Sequence, residues 1–194
     1  WELINIDGGT VSFTDGALTV GSDTGTGLTL TNAGVLDAGG SFALTGNLTT
    51  SAGGIFDGTG GGVGVYTISG ALRNNGVVNT QDGAVGDVVT VAGNYAGTGL
   101  LLVDANTSTA TADTMVINGK VISGGTTVRG RTTTPNVLLS SDIVVVTVAG
   151  TSMEGDFVGA LTSGAFDYSL VKDGNDFVFS PTSKAVNSTG AVYE

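Results

Sequence analysis

Asp82 and Asp87, with Arg73 close by in the sequence, are the residues of this chain best suited to chemistry. Paired carboxylates can divide glycan cleavage between an acid and a base or nucleophile, and carboxylates with an arginine, with or without calcium, suit a lyase. Each Asp adjoins a glycine, however, in Asp82-Gly83 and Gly86-Asp87, a setting in which Asp usually closes an Asx-turn. Composition removes most other chemistry. The 194 residues contain no His and no Cys, so there is no Ser-His or Cys-His pair, no imidazole or thiolate ligand and no disulfide. The nearest approaches to a Gly-x-Ser-x-Gly elbow, Gly39 to Ala43 and Gly150 to Glu154, lack the closing glycine. Gly58 to Val63 and Gly97 to Leu102 begin like phosphate-cradling loops but lack the third glycine. Tyr66 stands where a calcium-binding nonapeptide would need Asp. The expectation is a protein that is not an enzyme and has no cofactor or metal.

The elements that hold these residues are strands. With 40% hydrophobic and 12% charged residues and a mean hydropathy of +0.32, the chain is too apolar to stay disordered despite its 34 glycines. Helix-spaced apolar positions are missing, and Gly, Asn, Asp and Thr recur every few residues between short β-branched or aromatic runs. Its apolar runs are far shorter than the roughly 18 residues of a membrane span, so no direct membrane insertion is expected. A net charge of -11 argues against nucleic acid as a partner.

One template repeats. Two apolar residues in alternation, a turn-former and a further apolar residue recur as Phe42-Leu44-Gly46-Leu48, Tyr66-Ile68-Gly70-Leu72, Val89-Val91-Gly93-Tyr95 and Met115-Ile117-Gly119-Val121. The glycines Gly46, Gly70, Gly93 and Gly119 are spaced by 24, 23 and 26 residues, and Gly150 follows 31 further on. Looser copies place Asp15 and Asn32 in the same slot, which suggests a left-handed corner. A period near two dozen residues describes a parallel β-solenoid of about three short strands per coil, with about five coils in residues 1 to 120. In it Phe42, Tyr66, Val89 and Met115 stack in the core and Gly46, Gly70, Gly93, Gly119 and Gly150 form the corners. The competing fold, an antiparallel sandwich, would show turns without the longer repeat.

After residue 120 the rhythm changes. Phe166, Tyr168 and Leu170 alternate, Lys172 to Asn175 makes a turn, and Phe177 and Phe179 alternate back, the pattern of an antiparallel hairpin. Such a hairpin reads as a cap over the open end of the solenoid, with Tyr95, Phe166, Tyr168, Leu170, Phe177 and Phe179 as its core. Arg129 and Arg131 fall in a stretch, 129 to 135, that reads as an exposed loop able to bind a partner.

Residues 87 to 181 resemble a known family module. The succession Asp87-Val-Val-Thr-Val-Ala-Gly-Asn-Tyr95, Gly99-Leu-Leu-Leu-Val103, Asp113-Thr-Met-Val-Ile-Asn-Gly119, Ile143-Val-Val-Val-Thr-Val-Ala-Gly150 and Gly164-Ala-Phe-Asp-Tyr-Ser-Leu170 is similar to the pertactin-like autochaperone region of bacterial autotransporters, the type V secretion system. The resemblance implies a right-handed parallel β-helix over residues 1 to 86, a capping and autochaperone region over 87 to 181, and a linker over 182 to 194. It implies a secreted or surface-displayed passenger whose partner is its own C-terminal outer-membrane β-barrel, which this sequence does not include. The role expected of the cap is nucleation of β-helix folding during translocation. The alternative is an adhesin or virulence module that binds a host cell-surface protein or matrix through its coil faces or residues 129 to 135. The chain opens at Trp1 without a leader, which predicts an excised fragment with its targeting segments elsewhere.

Overall fold

Short alternating segments separated by glycine cannot each bury an apolar face alone, and they solve the problem by stacking. The computed structural model describes residues 4–13, 16–20, 29–137, 141–164 and 166–184, all of them strand, turn or loop. The first coil comprises β1 (Ile4–Ile6), β2 (Thr10–Ser12) and β3 (Gly16–Thr19); the second, β4 (Thr29–Asn32), β5 (Val35–Asp37) and β6 (Ser41–Thr45). The third is β7 (Asn47–Thr50), β8 (Ile55–Asp57) and β9 (Val65–Ile68), and the fourth β10 (Leu72–Asn74), β11 (Val77–Asn79) and β12 (Val88–Val91). The fifth is β13 (Tyr95–Ala96), β14 (Leu100–Asn106) and β16 (Thr114–Ile117), with the short β15 (Thr111–Ala112) folded back on β14. Then β17 (Val121–Ser123), β18 (Thr126–Thr132) and β19 (Ile143–Val148) lead into β20 (Phe157–Ser163), β21 (Phe166–Asp173) and β22 (Asp176–Lys184).

Every coil-to-coil pairing is parallel, so the chain is a β-solenoid and the sandwich is excluded. The first strands of the coils form one face, β1-β4-β7-β10-β13-β17; the second strands form a second, ending in β18 and β20; the third strands form a third, ending in β19. Phe42, Tyr66, Val89, Met115 and Val146 are successive partners on the third face, all buried, as the repeat predicts. Each fully buried side chain of this size is worth roughly 1.5–3 kcal/mol relative to its exposed state. Tilted and edge-on ring contacts join Phe13, Phe42, Phe56 and Tyr66 at the N-terminal end.

The five glycines of the repeat lie in one column. Each donates its amide to the carbonyl of the one below: Gly70 to Gly46, Gly93 to Gly70, Gly119 to Gly93 and Gly150 to Gly119, all at 2.9 or 3.0 Å. Gly46 alone among them has a positive φ, 132°. At Gly119 a Cβ would stand 2.4 Å from the Gly93 carbonyl oxygen, so close approach of stacked backbones, not left-handed geometry, selects glycine. Asn32 is not in this column. It lies on the first face in register with Thr50 and Asn74, buried, its Nδ2 donating to the Ile55 carbonyl at 2.7 Å. Asp15 lies outside the described residues. The stack crosses residues 86 and 87 without interruption, and β22 runs to Lys184, past the expected start of the linker at 182. Residues 185 to 194 lie outside the described residues.

Candidate functional site

Two places concentrate unusual residues: the sealed end of the solenoid and one buried acidic corner. At the end, β20 is the last parallel strand of the second face, and β19 the last of the third. The hairpin β21–β22 bridges them, β21 pairing antiparallel with β20 and β22 with β19. Two open sheet edges are thereby closed by one hairpin, which joins both faces into a single sheet of sixteen strands. On the first face the edge strand β17 is covered by the loop before β20, with Val121 donating to the Thr151 carbonyl and Gly125 to that of Asp156.

The expected cap residues converge here. Tyr95, Tyr168, Phe177 and Phe179 are buried, while Phe166 and Leu170 are half-buried against the same core. Leu170 stands opposite Phe179 in the hairpin register. Phe157, which the sequence reading passed over, is the keystone: its ring is 5.2 Å from that of Tyr95 and 4.9 Å from that of Phe177, joining the fifth coil to the hairpin. Tyr95 donates its hydroxyl to Thr126 Oγ1 at 2.6 Å, since the Thr126 hydrogen is given to the Gly97 carbonyl. Burial pushes the Tyr95 phenol up to about 12. The signal that would have found Phe157 is its place after Gly155-Asp156 at the start of an alternating run, Phe157, Gly159, Leu161.

Arg129 to Thr132 are not a loop. They belong to β18, and only beyond them does the chain leave the sheet. Between the two arginines Gly130 makes room for the cap, because a Cβ there would stand 2.8 Å from the Phe179 ring. Arg131 reaches down one coil and chelates Asp104, which is fully buried, through Nε at 2.6 Å and Nη2 at 2.7 Å. Arg129 is exposed and makes no ion pair among the described residues. It lines an open groove of about 560 Å³ with Gln81, Thr127, Ala160 and Thr162.

The acidic corner lies where the second face turns into the third, in coils three to five. Asp113 accepts from the amides of Gly86, Asp87 and Asp104 and from Thr80 Oγ1, at 2.7 to 3.2 Å. Asp104 also accepts from the Gly83 amide at 2.6 Å. Asp87 accepts from the Gly64 amide through Oδ1, and Asp82 from the Ala84 amide through Oδ1. Burial raises Asp87 to about 6 and Asp113 to about 7, with neighbouring carboxylates adding to the effect. Tyr66, hydrogen bonded to the Gly58 carbonyl, is likewise raised by burial and by these carboxylates. Asp82 and Asp87 do share a corner, but its cation is Arg131; Arg73 faces outward from the first face, beside Thr49 and Ala96 in register. Among the described residues no group of three or more acids is arranged to hold a metal ion. Facing backbone amides, these carboxylates are equipped to bind successive coils together.

No family model matches the chain. Over 124 aligned residues it is 36% identical to "Probable autotransporter YfaL" of Escherichia coli strain K12, covering 57% of this chain. The chain is a homologue of a probable autotransporter. It spans about 10% of that relative's length. That relative is named for the family that residues 87 to 181 resemble, and a β-solenoid is the fold that the resemblance implies.

Proposed function

We propose that the chain is the C-terminal part of an autotransporter passenger, a non-enzymatic stem displayed at the cell surface or secreted, with residues 87 to 181 as its cap and intramolecular chaperone. The observation that carries this reading is the hairpin β21–β22, which ties the last strands of two faces together and so creates a closed end. A parallel coil gains its contacts only after its loop has closed, so solenoids nucleate slowly from random starts. Local antiparallel pairing in β20–β21–β22 has no such cost and supplies a template onto which coil after coil can add. Its partner in this role is the outer-membrane β-barrel of the whole protein, through which the passenger leaves. Folding outside the membrane then prevents back-sliding.

The test is export of the full-length protein with and without residues 87 to 181. The proposal expects the deletion to abolish protease-resistant passenger at the surface while the barrel still inserts; unchanged display and resistance would refute it. A second reading, adhesion to a host surface protein or matrix, draws on the exposed Arg129 in its groove. Arg129→Ala, which touches no structural ion pair, should then abolish binding to host cells. Arg131 is unsuited to that test because it holds Asp104.

A further inference from the structure

Two shielded oxygens at the acidic corner lack a partner, and they point to a proton. Asp87 is 2% exposed, yet its Oδ2 meets no donor, and the same is true of the solvent-shielded Oδ2 of Asp82. Such orphaned atoms are costly: a buried acceptor left unsatisfied forfeits roughly 1–3 kcal/mol, more if charged. The groups around Asp87 deepen the problem. They are Asp82 in the same loop, Asp104 from β14, Asp113 before β16, Tyr66 on β9 with Asp57 beyond it, and Arg131 from β18. That is one cation among five carboxyl groups, and Asp104 already occupies the guanidinium.

We propose that Asp87 is held as the neutral acid in the folded stem, so that the corner is a proton lock that tightens coils three to five in acid and loosens as the proton leaves. A neutral Asp87 no longer places negative charge on the unpartnered Oδ2, keeps its bond from the Gly64 amide and removes one of the crowded charges. The placement of Asp87 at about 6, against about 3.9 for a solvated Asp, agrees with this. The sign of the linkage follows. Between those two values the folded state holds a proton that the unfolded state has lost, so stability is greatest below this window and falls as pH rises through about 6. Asp113, raised to about 7, acts in the same direction.

Denaturant unfolding of the 194-residue chain at pH 5 and pH 8, with and without added calcium, tests the lock. The unfolding constant should be at least roughly tenfold larger at pH 8 than at pH 5 from Asp87 alone. Asp87→Asn, a neutral mimic, should raise stability at pH 8 and remove about that tenfold from the pH dependence. Stability that is flat or increases from pH 5 to pH 8 would overturn the proposal. So would stabilisation by calcium at pH 8 that Asp87→Asn abolishes, since the orphaned oxygens would then be cation ligands. Should the variant fail to fold, carboxyl carbon NMR titration of the unaltered chain decides: a midpoint near 6 for Asp87 supports the lock, and one near the solvated value refutes it.

Discussion

Arg131 and Asp104 form a bidentate pair across one coil step, with the Asp104 side chain fully buried and the Arg131 side chain 48% exposed. The pair joins two adjacent seven-residue strands of the second face, β14 and β18, at the edge of the acidic corner. Removing the arginine would leave a buried carboxylate with only the Gly83 amide and its neighbours. Water reaching the exposed side softens the loss, so Arg131→Ala should cost about 1–3 kcal/mol at pH 8. Lys cannot reproduce the two parallel N–H bonds and should rescue only part of this. Because the corner loses its cation, the cost should be larger at pH 8 than at pH 5, where Asp87 and Asp113 bind protons. Urea midpoints of the three proteins at both pH values check the order; a cost equal at the two would show that Arg131 does not act on the corner's charge.

The glycine column predicts a contrast between substitutions that look alike in sequence. Gly119→Val would drive side-chain atoms into the Gly93 carbonyl, already 2.4 Å from an added Cβ, and the two coils would have to part. Overpacking of this kind costs about 1–3 kcal/mol or more. Gly8→Ala meets nothing within 4 Å and has no positive φ, and should stay within about 0.5 kcal/mol of the parent. Gly174, at φ +56° in the hairpin turn with open space around it, is limited by backbone alone. Gly174→Ala should cost about 1 kcal/mol and Gly174→Asn less, because Asn tolerates left-handed backbone. Thermal midpoints of the four variants rank the three mechanisms, and a Gly119→Val protein as stable as the parent would remove close approach as the reason for glycine.

What could be read from the sequence follows from what repeats. The third strand of each coil carries four or more residues in strict alternation ending at a column glycine, so β6, β9, β12 and β16 were legible, and with them the core column from Phe42 to Met115. The strands β5, β8, β10, β11 and β17 have three residues each, too few for a period of two to show. Arg129 to Thr132 looked like a loop because Gly130 and the Thr132 to Pro135 stretch are turn-formers; the need for glycine under the Phe179 ring is a tertiary fact with no local trace. Asp104 and Arg131 sit 27 residues apart, one coil length, but that becomes informative only once the register is known. The acidic corner was half legible: Asp82 and Asp87 adjoin turns, while Asp104 and Asp113 reach the same place from the next coil.

Phe157 is where the cap's folding and its function can be separated. Its ring lies between Tyr95 of the fifth coil and Phe177 of the hairpin, so Phe157→Ala opens a cavity at the seam. Truncating a buried Phe costs about 3–5 kcal/mol. Tyr95→Phe deletes the hydroxyl's bonds to Thr126, whose own hydrogen remains with the Gly97 carbonyl, and to Asn74, and should cost about 1–3 kcal/mol. If the cap templates coil addition, the seam must form before the coils beneath it, and Phe157→Ala should slow refolding of the chain by an order of magnitude or more, with unfolding changed less. If the cap only seals a finished solenoid, the same variant should leave refolding near the parent rate and speed unfolding instead. A Phe below the seam, Phe56 of the third coil, supplies the control: Phe56→Ala is comparably destabilising in a templated stem yet acts chiefly on unfolding. Stopped-flow refolding and unfolding of the three variants reads the partition directly, and a Phe157→Ala effect confined to unfolding would remove the nucleating role while leaving the closed end intact.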